Sequence, residues 1–141
     1  MSVVAGLQEA LAAEHACVYG YGVAGARADQ ADEARARAGF NAHRTRRDAL
    51  DQAIRAEGAE PVAALGSYDL PEPTPTGATV RAFAAGLEDG AAGAYADLVA
   101  AARGPLRESA VAWLAEAAVR AAGWRTSGTG AWPGLAGREP T

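Results

Sequence analysis

The chain has 141 residues with a net charge of −4, a length that suits one domain, residues 1–141, with a core of real size. Its 13 basic residues, all arginine, are interspersed among 17 acidic ones without a basic block, which argues against nucleic-acid binding. The longest uncharged apolar run, 16–26, is too short to cross a bilayer, and the first basic residue is Arg27, so neither a membrane span nor a signal peptide is expected and a cytoplasmic location is.

Alanine is the best helix former, and with 39 alanines the composition points to an all-α fold. The spacing predicts a first helix over about 2–28. Leu7, Leu11, Glu14, Val18, Tyr21 and Gly25 recur on one face of it. A carboxylate, Glu14, stands in that stripe where leucine would be expected, and a buried charge needs a partner. A second helix over about 29–57 starts at Asp29 as N-cap and stops at Gly58. Its stripe is Ala36, Phe40, His43, Arg47, Leu50 and Ile54, again with polar residues at core positions.

Residues 59–76 contain Pro61, Pro71, Pro73 and Pro75 and cannot be helical. Helix 2 should be roughly 40 Å long at about 1.5 Å per residue. The segment, extended, reaches up to about 60 Å, so it is expected to return along the whole bundle as a long crossover that leaves helices 2 and 3 parallel. Helix 3 is expected over about 77–102, with Ala84, Glu88, Ala91, Tyr95 and Leu98 inward. Helix 4 follows the Gly104-Pro105 break over about 105–125, with Leu106, Trp113, Glu116, Arg120 and Trp124 inward. The tail, 126–141, is rich in Gly, Pro, Ser and Thr. Its Trp132, Pro133 and Leu135 are expected to cover one bundle end. The single Cys17 has no intrachain partner. It reads as a small buried hydrophobe, with a reactive thiol as the alternative.

The two halves of the chain match at fixed offsets. Glu14 and Tyr21 recur 74 residues later as Glu88 and Tyr95. Phe40, His43 and Arg47 recur 73 residues later as Trp113, Glu116 and Arg120. All these positions lie on predicted inward faces. Glu14, His43, Glu88 and Glu116 are therefore expected to meet near the middle of the bundle.

With this pattern the chain resembles the ferritin-like four-helix-bundle superfamily, over about residues 2–125. Di-iron members of that superfamily place one Glu on each of two helices and Glu-x-x-His on each of the other two. The resemblance implies ligand positions at Glu14, His43, Glu88 and Glu116. Phe40 and Val119 stand where a further Glu and His would be. The Glu14-His15 pair, the His43-Arg44-x-Arg46-Arg47-Asp48 run, Tyr68-Asp69-Leu70-Pro71 and Trp132-Pro133-Gly134-Leu135 resemble an uncharacterised branch of the superfamily from high-GC bacteria, known only as a domain of unknown function. That resemblance implies the fold and a homodimer and names no activity.

Where two ligand positions are lost, an arginine appears four residues beyond the His43 and Glu116 positions, at Arg47 and Arg120. A guanidinium can replace a metal's charge among carboxylates. The first reading is accordingly a non-catalytic bundle with a degenerate metal site and no cofactor, its core carboxylates paired with Arg47 and Arg120. Tyr21 and Tyr95 send their hydroxyls into this network, and His15 is either a helix-face histidine or an outer member of it. The second reading is an iron- or manganese-binding oxidoreductase or iron-handling protein using Glu14, His43, Glu88 and Glu116. The third is a module that binds a small ligand, whose identity the sequence does not give, or a partner. No nucleophile constellation and no phosphate-binding loop is visible.

Overall fold

The computed structural model of the chain describes residues 1–70 and 74–126. The described residues form four α-helices and no strand: α1 (Val3–Arg27), α2 (Gln30–Ala56), α3 (Val80–Ala101) and α4 (Gly104–Thr126). Among the described residues, no helix is long and apolar enough to cross a membrane. Trp132, Pro133 and Leu135, read above as a cover for the bundle end, lie outside the described residues.

Local chemistry sets the helix limits. Ser2 caps α1 by accepting the Ala5 amide at 3.1 Å, which satisfies one of the orphan N–H groups of the first turn. Asp29 precedes α2 as its N-cap residue without making a side-chain cap bond. Its carboxylate instead lies over Gly77, where an added Cβ would meet Asp29 Oδ1 at 2.5 Å. α2 stops at Gly58, whose φ of 76° is a left-handed conformation that glycine adopts without penalty.

α1 is the central element. It packs against both α2 and α3, and α3 packs against α4. The backbones of α2 and α4 stay apart, and side chains bridge them: Arg46 meets Glu116, and Arg35 donates to the Gly123 carbonyl at 2.9 Å. Leu7, Leu11, Leu50, Ile54, Phe83 and Leu98 are wholly buried between the helices. Residues Glu60, Val62 and Tyr68, beyond α2, lie against α1. Gln8 clamps the first two by donating to the Glu60 carbonyl at 2.7 Å and accepting the Val62 amide at 2.8 Å. Further along α1, His15 contacts the Val62 carbonyl at 3.0 Å and Tyr19 packs on Tyr68.

Few large side chains fill this core, so the helices must approach closely, and glycine permits it at one decisive place. A Cβ on Gly39 would lie 2.4 Å from the Tyr21 ring. Gly39→Ala is therefore expected to destabilise the protein by about 1–3 kcal/mol through overpacking. Gly22 has open space around it, so Gly22→Ala should stabilise by about 0.5–1 kcal/mol through helix propensity alone. Urea unfolding of the two variants measures the contrast. Equal effects would mean that the α1–α2 contact is looser than described.

Candidate functional site

The wholly apolar layers are interrupted at the middle of the bundle by three buried polar side chains: Glu14 on α1, His43 on α2 and Glu88 on α3. His43 lies between the two carboxylates. Its Nδ1 is 2.6 Å from Glu14 Oε2 and its Nε2 is 2.9 Å from Glu88 Oε1. Each carboxylate also takes a tyrosine hydroxyl. Tyr21 donates to Glu88 Oε1 at 2.6 Å, and Tyr95 donates to Glu14 Oε1. The result is a chain running Tyr95, Glu14, His43, Glu88, Tyr21. The sequence repeat is visible in it, because the tyrosine of each half serves the glutamate of the other half. Arg120 closes the set, its Nε donating to Glu88 Oε1 at 2.9 Å. Trp124 donates from Nε1 to the Tyr21 oxygen at 2.8 Å.

The electrostatics follow from this geometry. Burial opposes charge on His43, but its contacts with Cys17, Glu14 and Glu88 outweigh burial and raise its pKa to about 12. Cys17 also donates its S–H to the Leu87 carbonyl at 3.4 Å, and burial pushes its thiol pKa up. His43 is thus an imidazolium at neutral pH, with both N–H groups donating. For Glu88, burial works to raise the pKa, and His43, Tyr21 and Arg120 more than offset it, so the group stays below the usual carboxylate range. Burial, and then the adjacent carboxylates, push both tyrosine hydroxyls up, and they remain donors. Two carboxylates, one imidazolium and one guanidinium make a balanced set.

Two residues expected in this cluster are elsewhere. Glu116 lies on the surface, with its side chain 47% exposed, and pairs at 2.6 Å with Arg46, which also stacks on Trp113. Its repeat counterpart, His43, already fills the space between the carboxylates, and a third carboxylate there would meet two like charges. Arg47 pairs with its neighbour Asp48 at 2.8 Å on the surface and does not reach the core. Of the two arginines expected inside, only Arg120 arrives. His15 sits beside the network without joining it and faces the Val62 carbonyl. Periodicity alone places Trp124 on an inward face. Its role as donor to Tyr21 had no signal in the sequence, since it depends on a ring 103 positions away.

The arrangement does not fit a carboxylate-bridged metal pair. A metal ligand must offer a lone pair, whereas both nitrogens of His43 point at carboxylates, and its raised pKa favours the doubly protonated ring. Glu88 Oε1 already accepts from Tyr21, His43 and Arg120, which leaves Oε2 as a single uncommitted oxygen. Phe40 and the exposed Val119 hold the other two positions. Among the described residues, no three His, Cys, Asp or Glu side chains are arranged to hold a metal ion.

Residues 6–137 match the family described as a domain of unknown function, DUF4439. The chain belongs to this family. A crystal structure of a conserved hypothetical protein, rv2844, from Mycobacterium tuberculosis is similar to it, with 31% sequence identity and a TM-score of 0.83, over 87% of this chain and 94% of that one. No curated protein matches the sequence. The DUF4439 match spans all four helices and so includes every member of the charged chain.

Proposed function

We propose that this DUF4439 protein is a single-domain ferritin-like bundle, with residues 59–76 as a long crossover between α2 and α3. In this reading a salt-bridged hydrogen-bond chain occupies the place of a metal centre, and the bundle is non-catalytic and homodimeric. The observation that carries it is His43, whose two ring nitrogens lie at 2.6 and 2.9 Å from carboxylates of two different helices. The crossover is supported by the contacts of Glu60, Val62 and Tyr68 along α1. It is supported also by Arg81 reaching Asp32 at 2.8 Å, which sets the beginnings of α2 and α3 side by side. A lone buried thiol needs no oxidising compartment, which fits a cytoplasmic location.

The test is a set of melting curves, with and without chelator and with added iron or manganese, on the wild type and Arg120→Ala. Neither chelator nor metal should move the wild type. Arg120→Ala should cost about 1–3 kcal/mol, the range for leaving a buried acceptor short of a charged donor. The value stays below that of a fully buried pair because the Arg120 side chain is 28% exposed. A chelator-sensitive wild type with an indifferent Arg120→Ala would restore the metal reading.

A further inference from the structure

We infer that the groove between α2 and α4 is a binding site for a small monocarboxylic acid with an apolar body of about one ring, its carboxylate held by Arg120. This goes beyond the structural reading of the core, and its failure would leave the charged chain as described. The groove exists because of what lines α2. Where the backbones of α2 and α4 stand apart, α2 offers only Ala38, Gly39 and Ala42, whose side chains are too short to fill the gap. The Arg35–Gly123 contact spans the gap toward one end, and the Arg46–Glu116 pair spans it toward the other. Between them lies a space of about 400 Å³, with Tyr21 and Trp124 beneath it.

The charge of this groove is opposite to that of the chain. The protein carries 17 acidic residues against 13 basic ones, yet the groove is lined by two arginines and no carboxylate. Arg120 commits its Nε to Glu88 Oε1 at 2.9 Å. The edge formed by its two terminal nitrogens meets no other acceptor among the described residues. On such an edge a carboxylate makes two parallel hydrogen bonds. Arg35 donates to the Gly123 carbonyl and lies 5.2 Å from the centroid of the Trp124 ring, and it pairs with no carboxylate among the described residues. In the core, His43 and Arg120 already balance Glu14 and Glu88, so Arg35 leaves the groove one positive charge in excess. One bound monoanion neutralises it.

The walls favour an organic acid over an inorganic ion. Both lie beyond the first turn of their helices, so their backbone amides are taken by helical hydrogen bonds. Tyr21 and Trp124 direct their donors inward, to Glu88 and to the Tyr21 oxygen. Only the guanidinia remain to donate, which is few for a phosphate and enough for a carboxylate. The sides are alkyl, formed by Ala38, Ala42 and Val119. Val119 is 70% exposed, and an apolar body in the groove would cover it. A single benzene ring occupies a cavity of about 150 Å³, so the space takes one ring with a short acid arm.

Calorimetric titration of the full chain with phenylacetate tests the inference. Saturable one-to-one binding is expected, with a Kd of about 0.1–1 mM, ordinary for a ligand of this size. Phenylacetamide, neutral and of the same shape, and inorganic phosphate should each bind about tenfold more weakly or worse. Arg35→Gln keeps an N–H for the Gly123 carbonyl but drops the charge, and should weaken phenylacetate about fivefold. Arg120→Lys keeps a cation beside Glu88 but loses the two-nitrogen edge, and should weaken it about tenfold. Should either variant not fold by circular dichroism, Ala42→Phe, which fills the groove and leaves both arginines in place, should abolish binding. A wild type that takes up no phenylacetate at tens of millimolar would overturn the inference and leave the groove to another occupant. Equal binding of phenylacetamide would overturn the role of Arg120, and equal binding of phosphate would overturn the apolar body. Phenylacetate binding unchanged in both Arg120→Lys and Ala42→Phe would put the ligand elsewhere and overturn the site.

Discussion

Replacing His43 by leucine is expected to cost at least about 3–5 kcal/mol, the loss typical of removing one partner from a buried ion pair. A domain of ordinary stability has about 5–15 kcal/mol in total. The cause is specific. Leucine approximates the volume of the ring but leaves Glu14 and Glu88 facing each other across a dry interior. Arg120 reaches only Glu88, and Tyr95 offers Glu14 a neutral donor. Substituting Glu14→Gln and Glu88→Gln in the same chain should return a large part of the loss, because two amides replace two uncompensated charges. Denaturant unfolding of the single and triple variants measures this coupling. If His43→Leu unfolds at the wild-type midpoint, the imidazolium is not what balances the core.

The second large effect is on pH dependence. The pKa of His43 rises on folding from 6.5 to about 12, so its contribution is complete below pH 6.5 and is lost as the pH climbs toward 12. The slope for one such proton is about 1.4 kcal/mol per pH unit, so about 3 kcal/mol should disappear between pH 6.5 and 9. Glu88 acts in the opposite sense. Its pKa falls on folding from 4.5, so its contribution is present above that value and is lost as the pH drops through the folded value. Stability is thus expected to peak between about pH 4.5 and 6.5 and to decline on the alkaline side. Urea midpoints taken from pH 4 to 10 give the curve, and His43→Gln, with nothing to titrate there, gives the reference. An alkaline limb as flat in the wild type as in His43→Gln would show that the ring is neutral in the folded state.

These effects come from residues whose positions could be read from the chain, but whose partnerships could not. Helix-forming composition, the prolines of 59–76 and the Gly104-Pro105 break sufficed for four helices, since each acts on the backbone locally. The stripe through Glu14 and Tyr21, and its repeat through Glu88 and Tyr95, located the buried polar layer, because a period of 3.6 residues fixes the side of a helix on which a residue falls. Periodicity fixes a face and carries no information on how neighbouring faces share the volume between them. By that measure His43 and Glu116 were equivalent, and so were Arg47 and Arg120. Tertiary packing separated them. The absence of a side chain at Gly39 draws α2 against Tyr21 and admits His43 between the carboxylates, while α4 stands off from α2 and contributes Arg120 from the rim. Two like charges in a low-dielectric interior leave room for one cation between them and none for a third carboxylate, so Glu116 turned outward to Arg46.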